Sequence, residues 1–189
     1  MSSDTPGQPA TEYFHGRRSL ISRQSQRIPR IALTVALAVY GLVSLRNPGA
    51  YRLLDNVDLA IHESGHLFFG FFGAFIAALG GTLMQLIVPT VFVVYFIRHG
   101  DRHAASVTLW WVAQNFWNIS VYIRDAQAQL LPLVGGGEHD WAYMLWQLGV
   151  LEHDQGIGQT VHAIGVAIFV ISVWWGLVAA RAGPKSKLP

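Results

Sequence analysis

The stretch LFFGFFGAFIAALGGTLMQLIVPTVFVVYFI, residues 67–97, contains no Lys, Arg, Asp or Glu. A helix crosses the hydrocarbon core of a bilayer in about 20 apolar residues. The run is therefore too long for one ordinary crossing. Gly80-Gly81 is the natural break, which predicts spans over 57–79 and 82–97. The same pattern recurs at 104–123, 126–137 and 155–180, which also lack charge. Only 13% of the 189 residues are charged, against roughly one quarter in soluble domains. The alternating polarity of a membrane β-barrel is absent. The chain reads as all-α, a polytopic transmembrane helical bundle in a lipid bilayer.

Residues 1–30 read as a disordered cytoplasmic tail, polar at first and then basic through Arg17, Arg18, Arg23, Arg27 and Arg30. A single transmembrane domain follows over 31–181, and 182–189 is a short basic tail. IALTVALAVYGLVSL (31–45) is a retained first span, because no small-residue cleavage site follows it. Residues 125–154 are either a re-entrant segment or one crossing by a helix broken at Gly135-Gly136-Gly137. Charge counting separates these. If 125–154 crosses, the two sides carry nine and four Lys/Arg; if not, six and seven. The positive-inside rule favours the biased count. The expectation is about six crossings, with both termini cytoplasmic, in a bacterial inner membrane. HESGH then lies toward the extracytoplasmic half.

The small net charge of +2 and the placement of the basic residues exclude a nucleic-acid footprint. There is no cysteine, so any metal must be held by nitrogen and oxygen. DLAIHESGHLFFGFFG (58–73) supplies such ligands. HESGH fits H-E-x-x-H, in which positions i and i+4 share a helix face. His62 and His66 can hold one metal between them, and Glu63 is placed to take a proton from a metal-bound water. Imidazole nitrogen with a hard oxygen ligand suits Zn2+. Ionisable groups in an apolar helix are costly, and so point to function.

A catalytic zinc usually takes three protein ligands. EHD occurs at 138–140 and again at 152–154. The second reads as a helix cap before the last span. The first falls at a depth similar to that of His66, so Asp140 or His139 is the expected third ligand, with Asp125 as a further alternative. Gln114, Asn115 and Asn118, in the fourth span, are candidates for positioning substrate or water, or for interhelical hydrogen bonds. His99 and His103 read as solvated, because Arg98 and Arg102 flank them.

HESGH, followed by Asn115 or Asn118, Leu131-Pro132 and His139-Asp140, resembles the site-2 protease group of intramembrane zinc metalloproteases, the peptidase M50 class. In that group an H-E-x-x-H on one span supplies two ligands and the general base. A later segment with an Asn, a Pro and an Asp brings the third ligand. The resemblance covers residues 57–145. It implies zinc on His62, His66 and Asp140, Glu63 as base, and a membrane-anchored protein as substrate. The first reading is thus an intramembrane zinc metalloprotease-like protein. The rival is a non-enzymatic membrane protein with a structural or sensing metal site. A third reading has the polar cluster only holding the bundle together.

Overall fold

In a computed structural model, residues 10–133 and 138–182 are described, with side chains from residue 26 onward. Among them are six α-helices and no strand: α1 Ala10–Arg46, α2 Leu53–Phe69, α3 Ala74–Arg98, α4 Arg102–Arg124, α5 Asp140–Gln147 and α6 Asp154–Ala182. Three segments are long and apolar enough to cross a membrane: Gln26–Arg46, Ala74–Arg98 and Leu151–Ala182. α1 begins at Ala10, inside the stretch expected to be a disordered tail. The expected basic tail lies outside the described residues from 183 onward.

The long apolar run breaks at Gly70–Gly73, not at Gly80-Gly81. Gly73 has φ 94°, a left-handed conformation that L side chains avoid, and it turns the chain from α2 into α3. Gly80 and Gly81 lie within α3, where their missing side chains make room for α2. A Cβ on Gly65 would run into the carbonyl of Gly80, and one on Gly80 would come within 2.7 Å of the carbonyl of Gly65. A Cβ on Gly81 would lie 2.5 Å from Cε1 and Nε2 of His62. Small residues here let two backbones touch.

α4 is the central helix. Its Trp110, Ala113 and Trp117 pack with Phe169 of α6, and Leu37 and Leu45 of α1 lie against this cluster. Near its other end, Ile119 and Ile123 join Ala142 and Leu145 of α5. α2 and α4 carry more polar residues than the three apolar segments and turn them inward. Asp58, Asn115 and Ser120 are at most 1% exposed.

Two sets of contacts fix the relative direction of the helices. At the start of α4, Asp101 pairs with Arg30 at 3.6 Å and His103 Nε2 reaches the Arg30 carbonyl at 3.0 Å. Gly176, late in α6, sits against Thr34 and Ser106. His103 is therefore buried between helices, which corrects its reading as solvated. At the opposite end of α4, the Gln127 backbone N–H and side-chain Nε2 donate to the Asp154 carboxylate at 3.2 and 2.8 Å. Gln155 Nε2 donates to the Arg124 carbonyl at 2.6 Å. The segment 125–153 thus leaves and returns at the same end of the bundle. Its helix α5 has eight residues, or ~12 Å, too short to cross. An expected sixth crossing through 125–154 has no support. The charge bias that suggested it does not register that Asp125 turns the chain, accepting hydrogen bonds from the Leu130 and Leu131 N–H groups at 2.9 and 3.0 Å. The expected break at Gly135–Gly137 lies outside the described residues.

Because Gly65 has backbone on its open side, Gly65→Ala should destabilise the protein by about 1–3 kcal/mol. Gly156→Ala, with nothing within 4 Å, is the control. Thermal unfolding in detergent should show a lower midpoint for the first and an unchanged or higher one for the second.

Candidate metal centre

α2 presents His62 and His66 on one face, with ring centroids 4.7 Å apart. His62 Nδ1 lies 2.9 Å from Gln85 Oε1 of α3, and His66 Nδ1 lies 2.8 Å from the Ala77 carbonyl. The opposite nitrogens converge. His62 Nε2 is 3.1 Å and His66 Nε2 is 3.3 Å from the same oxygen, Asp140 Oδ2.

The hydrogen bonds place a proton on Nδ1 of each histidine. A backbone carbonyl only accepts, so His66 Nδ1 must donate to Ala77. For His62 the assignment runs through two amides. Asn115 Nδ2 donates to the Trp111 carbonyl at 3.1 Å, which leaves Asn115 Oδ1 as an acceptor. Gln85 Nε2 donates to it at 3.2 Å, and to Asn118 Oδ1 at 3.2 Å. Gln85 Oε1 therefore faces His62, and His62 Nδ1 is the donor. With the Nδ1 protons committed elsewhere, the Nε2 atoms of both imidazoles converge on one carboxylate oxygen. That convergence needs a positive charge, supplied either by a metal ion between the three groups or by a second proton on an imidazole.

The donor set fits zinc. Two imidazole nitrogens and one carboxylate oxygen are a familiar ligand combination, and bonds of 2.0–2.1 Å place tetrahedral ligands ~3.3 Å apart. Nδ1–H donation to an amide or backbone oxygen is the usual outer support of a histidine ligand. Glu63 is exposed, and His62, Glu63 and His66 can offer ligand atoms within 4.8 Å of one another. Burial of Asp140 opposes ionisation, but the facing imidazoles outweigh it and hold the carboxyl at about 2.

The centre opens into a cavity of about 620 Å³. Its walls are small or apolar, with Ala74, Ala77 and Ala78 on one side and Leu131, Pro132 and Leu133 on another. Among the described residues, Asp55, Glu63, Glu138 and Asp140 line it and no Lys or Arg does.

Other residues singled out in the sequence lie apart from the cluster. His139 Nδ1 accepts from the Ala142 N–H at 3.2 Å, capping α5, while its Nε2 points to Asp125 Oδ2 at 3.4 Å. Burial lowers its pKa below the usual imidazole range. It does not face His62 and His66, and Asp125 is occupied by the backbone of 130–131. Gln114 Nε2 donates to Asp55 Oδ1 at 3.0 Å, and Asn115 is fully buried. Neither lines the cavity, whereas Asn118 does. Two residues at the site went unassigned in the sequence. Gln85 had a signal, as the one amide in the uncharged run of 67–97. Tyr122, beside Asp140, had none.

Comparison with protein-family models, with curated proteins and with solved structures finds no match to this chain.

Gln85→Leu removes the acceptor that sets the His62 tautomer. For a zinc ion held by these ligands, affinity should fall ~10–100-fold, measured by competition with a chelating dye. Gly81→Ala, which crowds the His62 ring, should also weaken binding.

Proposed function

We propose that the chain is an intramembrane zinc metalloprotease-like hydrolase. His62, His66 and Asp140 hold the metal, and Glu63 serves as general base. The carrying observation is the convergence of His62 Nε2 and His66 Nε2 on one oxygen of Asp140, with both Nδ1 atoms held by other partners. The resemblance of HESGH and the later Asn, Pro and Asp to the M50 class supports the same reading.

When bound, zinc would polarise a peptide carbonyl and acidify a water. The chain's own residues supply the rest. Glu63, exposed at the cavity beside the two histidines, takes the water proton on its carboxylate and passes it to the leaving nitrogen. Asp140 and the two imidazoles keep the ligand geometry fixed. The cavity receives a short stretch of a membrane-anchored protein, and its four carboxylates, with no Lys or Arg among the described lining residues, disfavour acidic segments.

A second reading rests on Glu63 lying within ligand reach of both histidines. If Glu63 is itself a ligand, the site is closed and serves a structural or sensing role.

The contacts of Arg30 and Gly176 with the start of α4 support an arrangement with both ends of the bundle on one side. The described arginines then divide into eight on that side (residues 17, 18, 23, 27, 30, 98, 102 and 181) and three on the other (46, 52 and 124). By the positive-inside rule the richer side is cytoplasmic, and the cavity opens on the opposite face. Reporter fusions at residues 1 and 189 should both report cytoplasm; opposite locations would overturn this arrangement.

Glu63→Gln separates enzyme from structural site. It should keep wild-type zinc content and lose cleavage of membrane-anchored peptides by ~10²–10⁴-fold. The His62→Ala/His66→Ala double variant should lose the metal itself. Equal trace metal in wild type and the double variant would sink the metal reading. Loss of zinc in Glu63→Gln would favour the non-enzymatic reading.

A further inference from the structure

We infer that Tyr122 is a positioning residue that holds Asp140 in its ligand geometry; the inference rests on the metal reading above. Asp140 is the first residue of an eight-residue helix, within a segment that leaves and returns at one end of the bundle. No long helix fixes it. Tyr122, on the last turn of α4, does so from outside. Its hydroxyl accepts a hydrogen bond from the Asp140 backbone N–H at 3.2 Å and donates to Asp140 Oδ2 at 3.3 Å. One bond places the backbone and the other sets the rotation of the carboxylate.

The rest of the tyrosine is seated to do this. Its ring lies against His139 at a centroid distance of 4.2 Å and 33°, and meets the His62 ring edge-on at 5.9 Å. Three residues later, Asp125 holds the Leu130 and Leu131 N–H groups and faces His139 Nε2. The end of α4 therefore grips the excursion where it departs and where it delivers Asp140. The oxygen that Tyr122 touches, Oδ2, is the one both histidines face. A carboxylate oxygen has lone pairs enough for a hydroxyl and a metal together, so the hydroxyl orients the ligand without displacing the cation.

Tyr122→Phe in the full-length protein tests this, because it keeps the ring and its stacking and removes only the hydroxyl. Two measurements are needed. In the first, zinc affinity is measured by competition, with the Co2+ absorption spectrum reporting coordination. Affinity should fall ~10–100-fold and the cobalt bands should shift. Wild-type affinity with a wild-type cobalt spectrum would overturn the inference. In the second, metal-free wild type, Tyr122→Phe, Asp140→Ala and the double variant are unfolded by heat in chelator. The midpoint shift of the double variant should fall short of the sum of the two single shifts, because both remove the hydroxyl–carboxylate bond while the bond from the Asp140 backbone N–H is lost only with the hydroxyl. Additive shifts in midpoint would overturn it. Non-additive shifts in a wild type that binds no zinc would uphold the Tyr122–Asp140 bond and remove the metal reading. Normal zinc binding in both wild type and Tyr122→Phe would do the reverse.

Discussion

Two imidazole nitrogens facing one carboxylate oxygen need a positive charge among them, and the bundle brings all three atoms to one point. The surrounding structure is organised to impose that convergence. The Trp111 carbonyl orients Asn115, Asn115 orients Gln85, and Gln85 directs the proton of His62 away from Asp140. The Ala77 carbonyl does the same for His66. These supports lie on α3 and α4 while the histidines lie on α2, so the centre depends on how closely three helices approach. Gly65, Gly80 and Gly81 set that approach by presenting backbone where any side chain would intrude.

Burying so many polar groups is expensive unless each finds a partner. α2 and α4 solve this by pairing with each other and with α3. Asp55 accepts from the Arg52 N–H and from Gln114 and Asn118, while Asp58 accepts from the Trp111 indole at 2.8 Å. A network of this kind strengthens its members where they are paired, and Asp58 Oδ2 and Gln114 Oε1 are buried without a hydrogen-bond partner among the described residues. The network also explains why, among the described residues, three segments and not all the long helices have the apolarity of a membrane span. The remaining long helices place polar residues inward, toward one another.

The all-helical class was legible because charge is absent from long stretches, and that pattern survives any detail of packing. The HESGH pair was legible because helical periodicity alone puts residues i and i+4 together. The approach of Asp140 to that pair also follows the order of motifs along the chain. Helix boundaries were harder. Gly80-Gly81 and Gly70–Gly73 look alike as text, and only the neighbour across the interface distinguishes a contact glycine from a turn glycine. The path of 125–154 was hidden for a similar reason. The hydrogen bonds of Asp125 and Asp154 that bring its two ends together join residues far apart in sequence. His103 misled because its flanking arginines suggested solvent, while its partners belong to α1. Tyr122 gave no sign at all, since a tyrosine near a helix end is ordinary and its meaning comes from Asp140.

The distance along the chain between the histidines and their carboxylate has a consequence for biosynthesis. His62 and Asp140 are separated by 78 residues, and the intervening chain includes α3 and α4, both of which support the site. A nascent chain inserts its histidine pair into the bilayer well before the acidic partner has been made. Until the return into α6 is complete, Asp154 cannot close the excursion against Gln127. An unfinished chain therefore carries two of the three converging groups and lacks the third. The convergence of the three groups thus becomes a property of the chain only after α5 and the return into α6 have been made.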